Sequence, residues 1–299
     1  MADKLTFIKL GIIGMSEGNG HPYSWSAIFN GFDPFFMKDC PYPAIPKYLQ
    51  EKQFPNDFLN DMGIVNSIWT QKKTTTEHIA KSSFIETICE NLDDLVKESD
   101  AILLARDDAE KHLEMASLFL KKGIPIFIDK PFATCLDDAK KMLELQKFEH
   151  QIFTCSSLRY AKEITLTNCE FNQIGKLIKI VAKCPKYWST YAVHLIEPII
   201  ANSPKRGKLL KVQRVLNKNH IVHIRWEQLF LEITMTGKEK SAIEFHFIGN
   251  KATVTKEFTD SFSCFKDSLI TFLEQIHKKQ ILIPRNETME IVEILERGK

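Results

Sequence analysis

Apolar residues fall into two rhythms along this chain. Between Lys9 and Ser156, short apolar runs alternate with segments whose apolar positions recur at helical spacing. Lys9–Gly14, Ile64–Thr70, Ala101–Ala105, Ile124–Ile128 and Gln151–Ser156 predict strands, and Ser83–Cys89 a further one. Helices are predicted at Tyr23–Phe29, opened by Pro22, and at Leu92–Glu98, Asp108–Lys122 and Leu136–Phe148. Asp107 or Asp108 is the expected N-cap of the third of these and Gly123 its stop. Such alternation predicts a mostly parallel sheet covered on both faces. From about Ser157 the period drops to two: Lys176–Cys184, Lys211–Leu216, Ile221–Trp226, Leu229–Met235 and Ala242–Phe247 predict an open, mainly antiparallel sheet. Helices near Ser261–His277 and Thr288–Glu296, joined through Pro284, close the chain. The expectation is an α/β protein of two domains, 1–156 and 157–299. One stretch, Gly31–Gly63, fits neither rhythm; rich in proline and aromatics, it reads as a long loop, either a functional insertion or lid or a plain surface excursion.

Composition narrows the function classes. The 299 residues are 44% hydrophobic and 26% charged, an ordinary globular balance. Forty basic against 38 acidic residues leave a net charge of +2 with no basic block, which argues against a nucleic-acid partner. No run approaches the ~18 apolar residues of a membrane span, and Met1–Asp3 leads straight into the first strand without a basic leader. Seven cysteines, an odd number without a CxxC, suit free thiols in a reducing cytoplasm.

Candidate chemistry gathers at a few places. The segment Gly14-Met15-Ser16-Glu17-Gly18-Asn19-Gly20 joins the first strand to the first helix, the opening of a dinucleotide-binding βαβ unit, with Gly14, Ser16, Gly18 and Gly20 as candidate phosphate contacts. Asp129-Lys130-Pro131 follows the Ile124–Ile128 strand, where ligands of such sheets bind. Lys130 is either a stabiliser of a developing alkoxide or part of a charged surface turn, and Pro131 stiffens the turn, with a cis bond possible. In Tyr191-Ala192-Val193-His194-Leu195-Ile196-Glu197, His194 and Glu197 share a helix face and suit acid/base work, or form a plain surface pair. No third ligand accompanies them, so no metal is expected. Arg159 and Tyr160 are substrate-binding candidates with a structural alternative, and His220 and His223 read as ordinary sheet residues.

In this order these pieces resemble the Gfo/Idh/MocA family of nicotinamide-dependent oxidoreductases over nearly the whole chain. Four stretches carry the resemblance: Leu10–Gly14; Ala101–Ala105 with His112 and Leu120–Ala133; Val193–Glu197; and Phe265–Phe272 with Ile283–Glu296. The resemblance implies a Rossmann domain, then an α/β domain whose open sheet lines the substrate pocket and often an oligomer interface, so a homo-oligomer is expected. It implies hydride transfer between NAD or NADP and a hydroxyl-bearing carbon of a sugar, cyclitol or nucleotide-linked sugar. Lys130 would contact the substrate oxygen and, with Pro131, place the nicotinamide; His194 would be the acid/base, Glu197 its orienting partner, and Tyr191 a substrate contact. The chain departs from the family in three places. Ser16 and Asn19 stand where the family's turn has glycines. Trp69-Thr70-Gln71-Lys72-Lys73 lacks the ribose-binding carboxylate, leaving Thr70 and Lys72 as cofactor contacts and a tilt toward NADP through Lys72 and Lys73. Thr190 replaces an acid four residues before His194. These departures leave a catalytically inactive nucleotide-binding or regulatory protein on the same fold as the alternative, and a lyase or hydrolase with transient nicotinamide use as a third reading.

Overall fold

The computed structural model describes residues 7–215, 220–239 and 241–299. Met1–Asp3 and Leu216, part of the sequence-based readings, lie outside them. The chain forms two compact units. Unit 1 comprises 1–132, 137–154 and 265–283; unit 2 comprises 133–136, 155–264 and 284–299. The chain thus passes between units more often than a single break at 156/157 implies.

Unit 1 begins with β1 (Ile8–Ile13), whose apolar side chains are almost all buried, and α1 (His21–Asn30). Two short helices follow, α2 (Pro34–Met37) and α3 (Ala44–Gln50). Next come β2 (Gly63–Trp69), α4 (Lys73–Ser82), β3 (Thr87–Ile88), α5 (Leu92–Glu98) and β4 (Ala101–Leu104). A 3-10 turn at Ala109–Lys111 leads into α6 (His112–Lys122), which Gly123 ends in the left-handed conformation at φ 77°. β5 (Ile126–Ile128), α7 (Leu136–Glu144) and β6 (Ile152–Phe153) complete the run. All strand pairs are parallel, in the order β3-β2-β1-β4-β5-β6. That is the doubly wound Rossmann order, with its switch point between β1 and β4.

Two expectations fail here. Neither Asp107 nor Asp108 caps α6: Asp108 takes the Arg106 guanidinium, while Asp107 takes Ser16 and Lys130. The Gly31–Gly63 stretch is no loose loop. Met37, Ile45, Leu49, Phe58 and Leu59 are buried, and the Tyr48 hydroxyl donates to Ser24 Oγ on α1 at 2.5 Å. It is core material, so its removal is expected to cost stability before affinity. Tyr48→Phe is expected to destabilise the protein by about 1 kcal/mol, read from urea unfolding.

Unit 2 carries α8 (Asn168–Ile174), opened by a capping box of Thr167 and Glu170, then β7 (Leu177–Cys184), α9 (Trp188–Tyr191) and α10 (Val193–Asn202). β8 (Leu209–Val215), β9 (His220–Trp226), β10 (Phe230–Met235), β11 (Glu244–Gly249) and β12 (Thr253–Glu257) follow. α11 (Ser261–Lys278) lies mostly in unit 1, and α12 (Arg285–Arg297) returns to unit 2. The sheet order is β12-β11-β7-β10-β9-β8, antiparallel except for the β7–β10 pair. Ile180, Ala182, Val222, Ile224, Leu231, Ile233 and Phe245 alternate inward and share one core with Ile196, Ile199 and Ile294. The other face is mixed: cross-strand pairs such as Lys183–Glu244 and His223–Glu232 lie among the half-buried Val181, Ile221, Phe230 and Ile248. No helix among the described residues is long and apolar enough to cross a membrane.

Candidate active site

In unit 1 the polar groups converge at the carboxyl ends of β1, β4 and β5. Lys130 is buried, with 3% of its surface exposed, and its Nζ lies 3.1 Å from Asp107 Oδ2. Asp107 Oδ1 accepts from Ser16 Oγ at 2.6 Å, and the Asp107 N–H donates back to that hydroxyl at 3.0 Å. Burial alone would raise the Asp107 carboxyl; Lys130, Ser16 and His21 outweigh it and hold it below its ordinary value. The charged pair is thereby fixed, with the ammonium at a strand end.

The neighbouring Asp129 builds a second set of contacts. Its Oδ2 takes Asn19 Nδ2 at 2.8 Å and His21 Nδ1 at 2.6 Å, while its Oδ1 accepts the Lys130 N–H at 2.7 Å. The His21 ring stacks on Trp25, which stacks in turn on Phe127 of β5. His112 faces carbonyls with both ring nitrogens, Phe132 O at 3.0 Å and Arg106 O at 2.8 Å, tying the loop after β4 to the one holding Lys130. The Lys130–Pro131 bond is cis. Changing His112 to Ala is expected to slacken the Lys130 loop, seen as faster amide exchange at 130–133.

The glycine turn is tightly fitted. A Cβ on Gly14 would lie 2.6 Å from Pro22 Cγ, whereas Gly18, at φ +78°, has open space beside it. Thr70 is buried and bonds Thr76 Oγ1 at 2.7 Å, so it serves the start of α4. Gln71 clamps Met15, donating to its carbonyl at 2.5 Å and accepting its N–H at 2.9 Å. That contact occupies the end of β2, where the family resemblance implies a ribose-binding carboxylate. Lys72 and Lys73 are exposed at the head of α4.

Unit 2 holds the second set. His194, 7% exposed, bonds Ser156 Oγ through Nδ1 at 2.8 Å, and the edge of the Tyr191 ring meets it at 4.9 Å between centroids. Glu197 is turned elsewhere: its Oε2 accepts the Ser156 N–H at 2.6 Å and its Oε1 lies 3.5 Å from Arg159 Nη1. Its expected role as direct partner of His194 gives way to an indirect one, in which Glu197 fixes Ser156 and Ser156 orients the imidazole. Burial pushes the Glu197 carboxyl up to about 7, against the opposing pull of Arg159 and the Ser156 N–H. Arg159 is consumed structurally, with Nη2 on Glu287 Oε2 at 2.5 Å, and Tyr160 is half-buried beside it. Tyr191 accepts from Lys186 Nζ at 2.5 Å, and the Thr190 hydroxyl lies 3.5 Å from the Tyr187 carbonyl within its own turn. The sequence assigns no site role to Ser156, Asp107, Asn19, His21 or Glu287. Only Asp107, just past a predicted strand, stood at a position that signals it.

A doubly wound parallel-sheet unit with a buried lysine at a strand end, followed by a second α/β unit, is a two-unit Rossmann-type architecture. Residues 46–156 match the Oxidoreductase family, NAD-binding Rossmann fold, known as Gfo/Idh/MocA. That match agrees with the resemblance carried by the sequence motifs. Solved structures share the fold across almost the whole chain. A myo-inositol dehydrogenase from Corynebacterium glutamicum aligns at TM-score 0.70 and 12% identity, covering 97% of this chain and 95% of its own. An oxidoreductase from Thermotoga maritima gives 0.68 and 15%, covering 98% and 96%. UDP-N-acetylglucosamine 3-dehydrogenase from Acidithiobacillus ferrooxidans gives 0.66 and 9%, covering 97% and 96%. No curated protein sequence matches the chain.

Two features of unit 1 suit a nicotinamide dinucleotide. Gly18 leaves open space in the turn, and Arg106, 5% exposed, carries a buried Nη1 with no hydrogen-bond partner. A buried guanidinium N–H left unbonded suits an anionic ligand.

Proposed function

We propose that the protein transfers a hydride between NAD or NADP and a hydroxyl-bearing carbon of a sugar, cyclitol or nucleotide-linked sugar. The observation that carries this reading is the buried Lys130, held by Asp107 at the carboxyl end of β5 in a family-matched Rossmann domain. The myo-inositol and UDP-sugar dehydrogenases among the structural neighbours support the substrate class. Gly14, Ser16, Gly18 and Gly20 would hold the dinucleotide with Arg106, and Pro131 would border the nicotinamide. When bound, the cofactor supplies the hydride acceptor or donor.

Lys130 holds a fixed positive charge toward the substrate oxygen, favouring the alkoxide that develops as a hydroxyl is oxidised. His194 exchanges the hydroxyl proton. With Nδ1–H donating to Ser156 Oγ in both states, the ring can gain or lose a proton on Nε2 and keep the bond that orients it. Changing His194 to Asn is expected to lower kcat by about 10²–10³-fold with cofactor affinity unchanged, measured by absorbance of the reduced nicotinamide. Arg159, bound to two carboxylates, is assigned to the scaffold rather than to substrate.

Lys72 and Lys73 favour NADP. Replacing both with alanine is expected to weaken NADPH binding about tenfold and leave NADH binding as it was, measured by fluorescence titration. The second reading, a nucleotide-binding protein without turnover, is favoured by Thr190 in place of an acid. Cofactor binding without reduction across a polyol and nucleotide-sugar screen would select it. The expected homo-oligomer, if it uses the outer face of the unit 2 sheet, would join a surface that mixes charged pairs with Val181, Ile221, Phe230 and Ile248.

A further inference from the structure

The start of α1 spends its own amides. The His21 N–H is taken by Asn19 Oδ1 at 2.7 Å, Pro22 has none, and the Tyr23 and Ser24 N–H groups bond the Gly20 carbonyl. A helix that binds pyrophosphate ordinarily offers these groups to it. The missing donors stand nearby, on the stretch between α1 and β2. Tyr42 packs its ring so closely on Gly20 that a Cβ there would lie 2.6 Å from Tyr42 Cδ2. This contact explains the glycine at 20. The Gly18 amide is near enough to the Tyr42 phenol to favour its ionised form against the larger effect of burial, and that hydroxyl makes no side-chain hydrogen bond among the described residues.

Resting on the nicotinamide reading above, we propose that Tyr42 is a pyrophosphate-binding residue: its hydroxyl receives the Gly18 N–H and donates its own proton to a phosphate oxygen of the dinucleotide. The phenol thus relays a turn amide outward by one side chain and replaces the donors that Asn19 and Pro22 remove from α1. Burial, then Cys40, then Asp107 and Glu17 keep the phenol protonated, as a donor must be. The same placement makes the 31–63 segment part of the cofactor site, anchored by Ile45 and Leu49 in the core and by Tyr48 on Ser24.

The test is NADH and NADPH titration of the full chain and of Tyr42→Phe, which keeps the ring against Gly20 and loses only the hydroxyl. Matching melting curves establish that the variant is folded. The expected result is an unchanged melting temperature and a Kd about tenfold higher for both nucleotides. An unchanged Kd overturns the proposal, and so does a lower Kd, which would make Tyr42 an obstacle. Failure of the unaltered protein to bind either nucleotide overturns the functional reading itself, an outcome distinct from an unchanged variant.

Discussion

Changing Lys130 to methionine is expected to lower kcat by about 10²–10⁴-fold. Methionine is unbranched and flexible enough to fill the lysine's space, so the substitution removes charge more than volume. A charge aimed at a developing alkoxide from a dry position is worth far more than the same charge in water. The cost does not stop at catalysis. Asp107 would lose its cation while still buried, leaving the Ser16 hydroxyl to donate to its carboxylate. Lys130→Met should therefore also melt earlier, and a Lys130→Met, Asp107→Asn double variant should recover much of the stability and none of the turnover. Reduced-nicotinamide absorbance and thermal melts measure both. Turnover retained in the single variant would remove Lys130 from the mechanism.

The second large effect concerns Glu197. Changing it to alanine leaves Arg159 buried with Glu287 as its remaining carboxylate and frees the Ser156 N–H, at an expected cost of about 3–5 kcal/mol. Its pH signature is separate. The folded carboxyl, at about 7, sits above its ordinary 4.5, so the folded state binds more protons between those values. This group's contribution to stability is then full below 4.5 and is lost as pH rises toward 7. Across the same window, activity should rise with pH, because only the carboxylate grips Ser156 and Arg159 firmly enough to hold His194 in line. Glu197→Gln should flatten both dependences. Melting temperatures and kcat/KM from pH 5 to 9, roughly the range centred on this ionisation, test the pair of statements.

Much of this architecture is legible in the sequence because it is written locally. The buried runs of β4 and β5 are short and wholly apolar, β1 is interrupted only by the exposed Lys9 and by Gly11, and Gly123 stops α6 where its left-handed φ requires. Lys130 is legible for the same reason, being fixed to the end of such a run. Other elements are hidden by local chemistry. α4 opens with Lys73-Thr74-Thr75-Thr76, whose β-branched residues disfavour a helix, yet Thr76, Ile79 and Ala80 form the buried stripe that decides the matter. β12 has Val254 as its one apolar side chain and exists through its pairing with β11. α8 was readable, since Thr167 and Glu170 have capping-box spacing.

The site is less legible than the fold. Its decisive contacts join distant residues: Ser16 with Asp107, Asn19 with Asp129, Ser156 with His194, and Arg159 with Glu287. No spacing rule encodes those pairs. Arg159 was a fair substrate candidate by residue type, and only its two carboxylate partners reassign it.

The central claim is that unit 1 holds a nicotinamide dinucleotide at the Gly14–Gly20 turn and Lys130. Fluorescence titration of the protein with NADH and with NADPH tests it most directly, reading the tryptophans Trp25, Trp69, Trp188 and Trp226 together with the cofactor's own emission. Saturable binding near micromolar Kd, tighter for NADPH, is the expected result. A folded protein that binds neither would contradict the claim, leaving Lys130 and Asp107 as a buried structural pair.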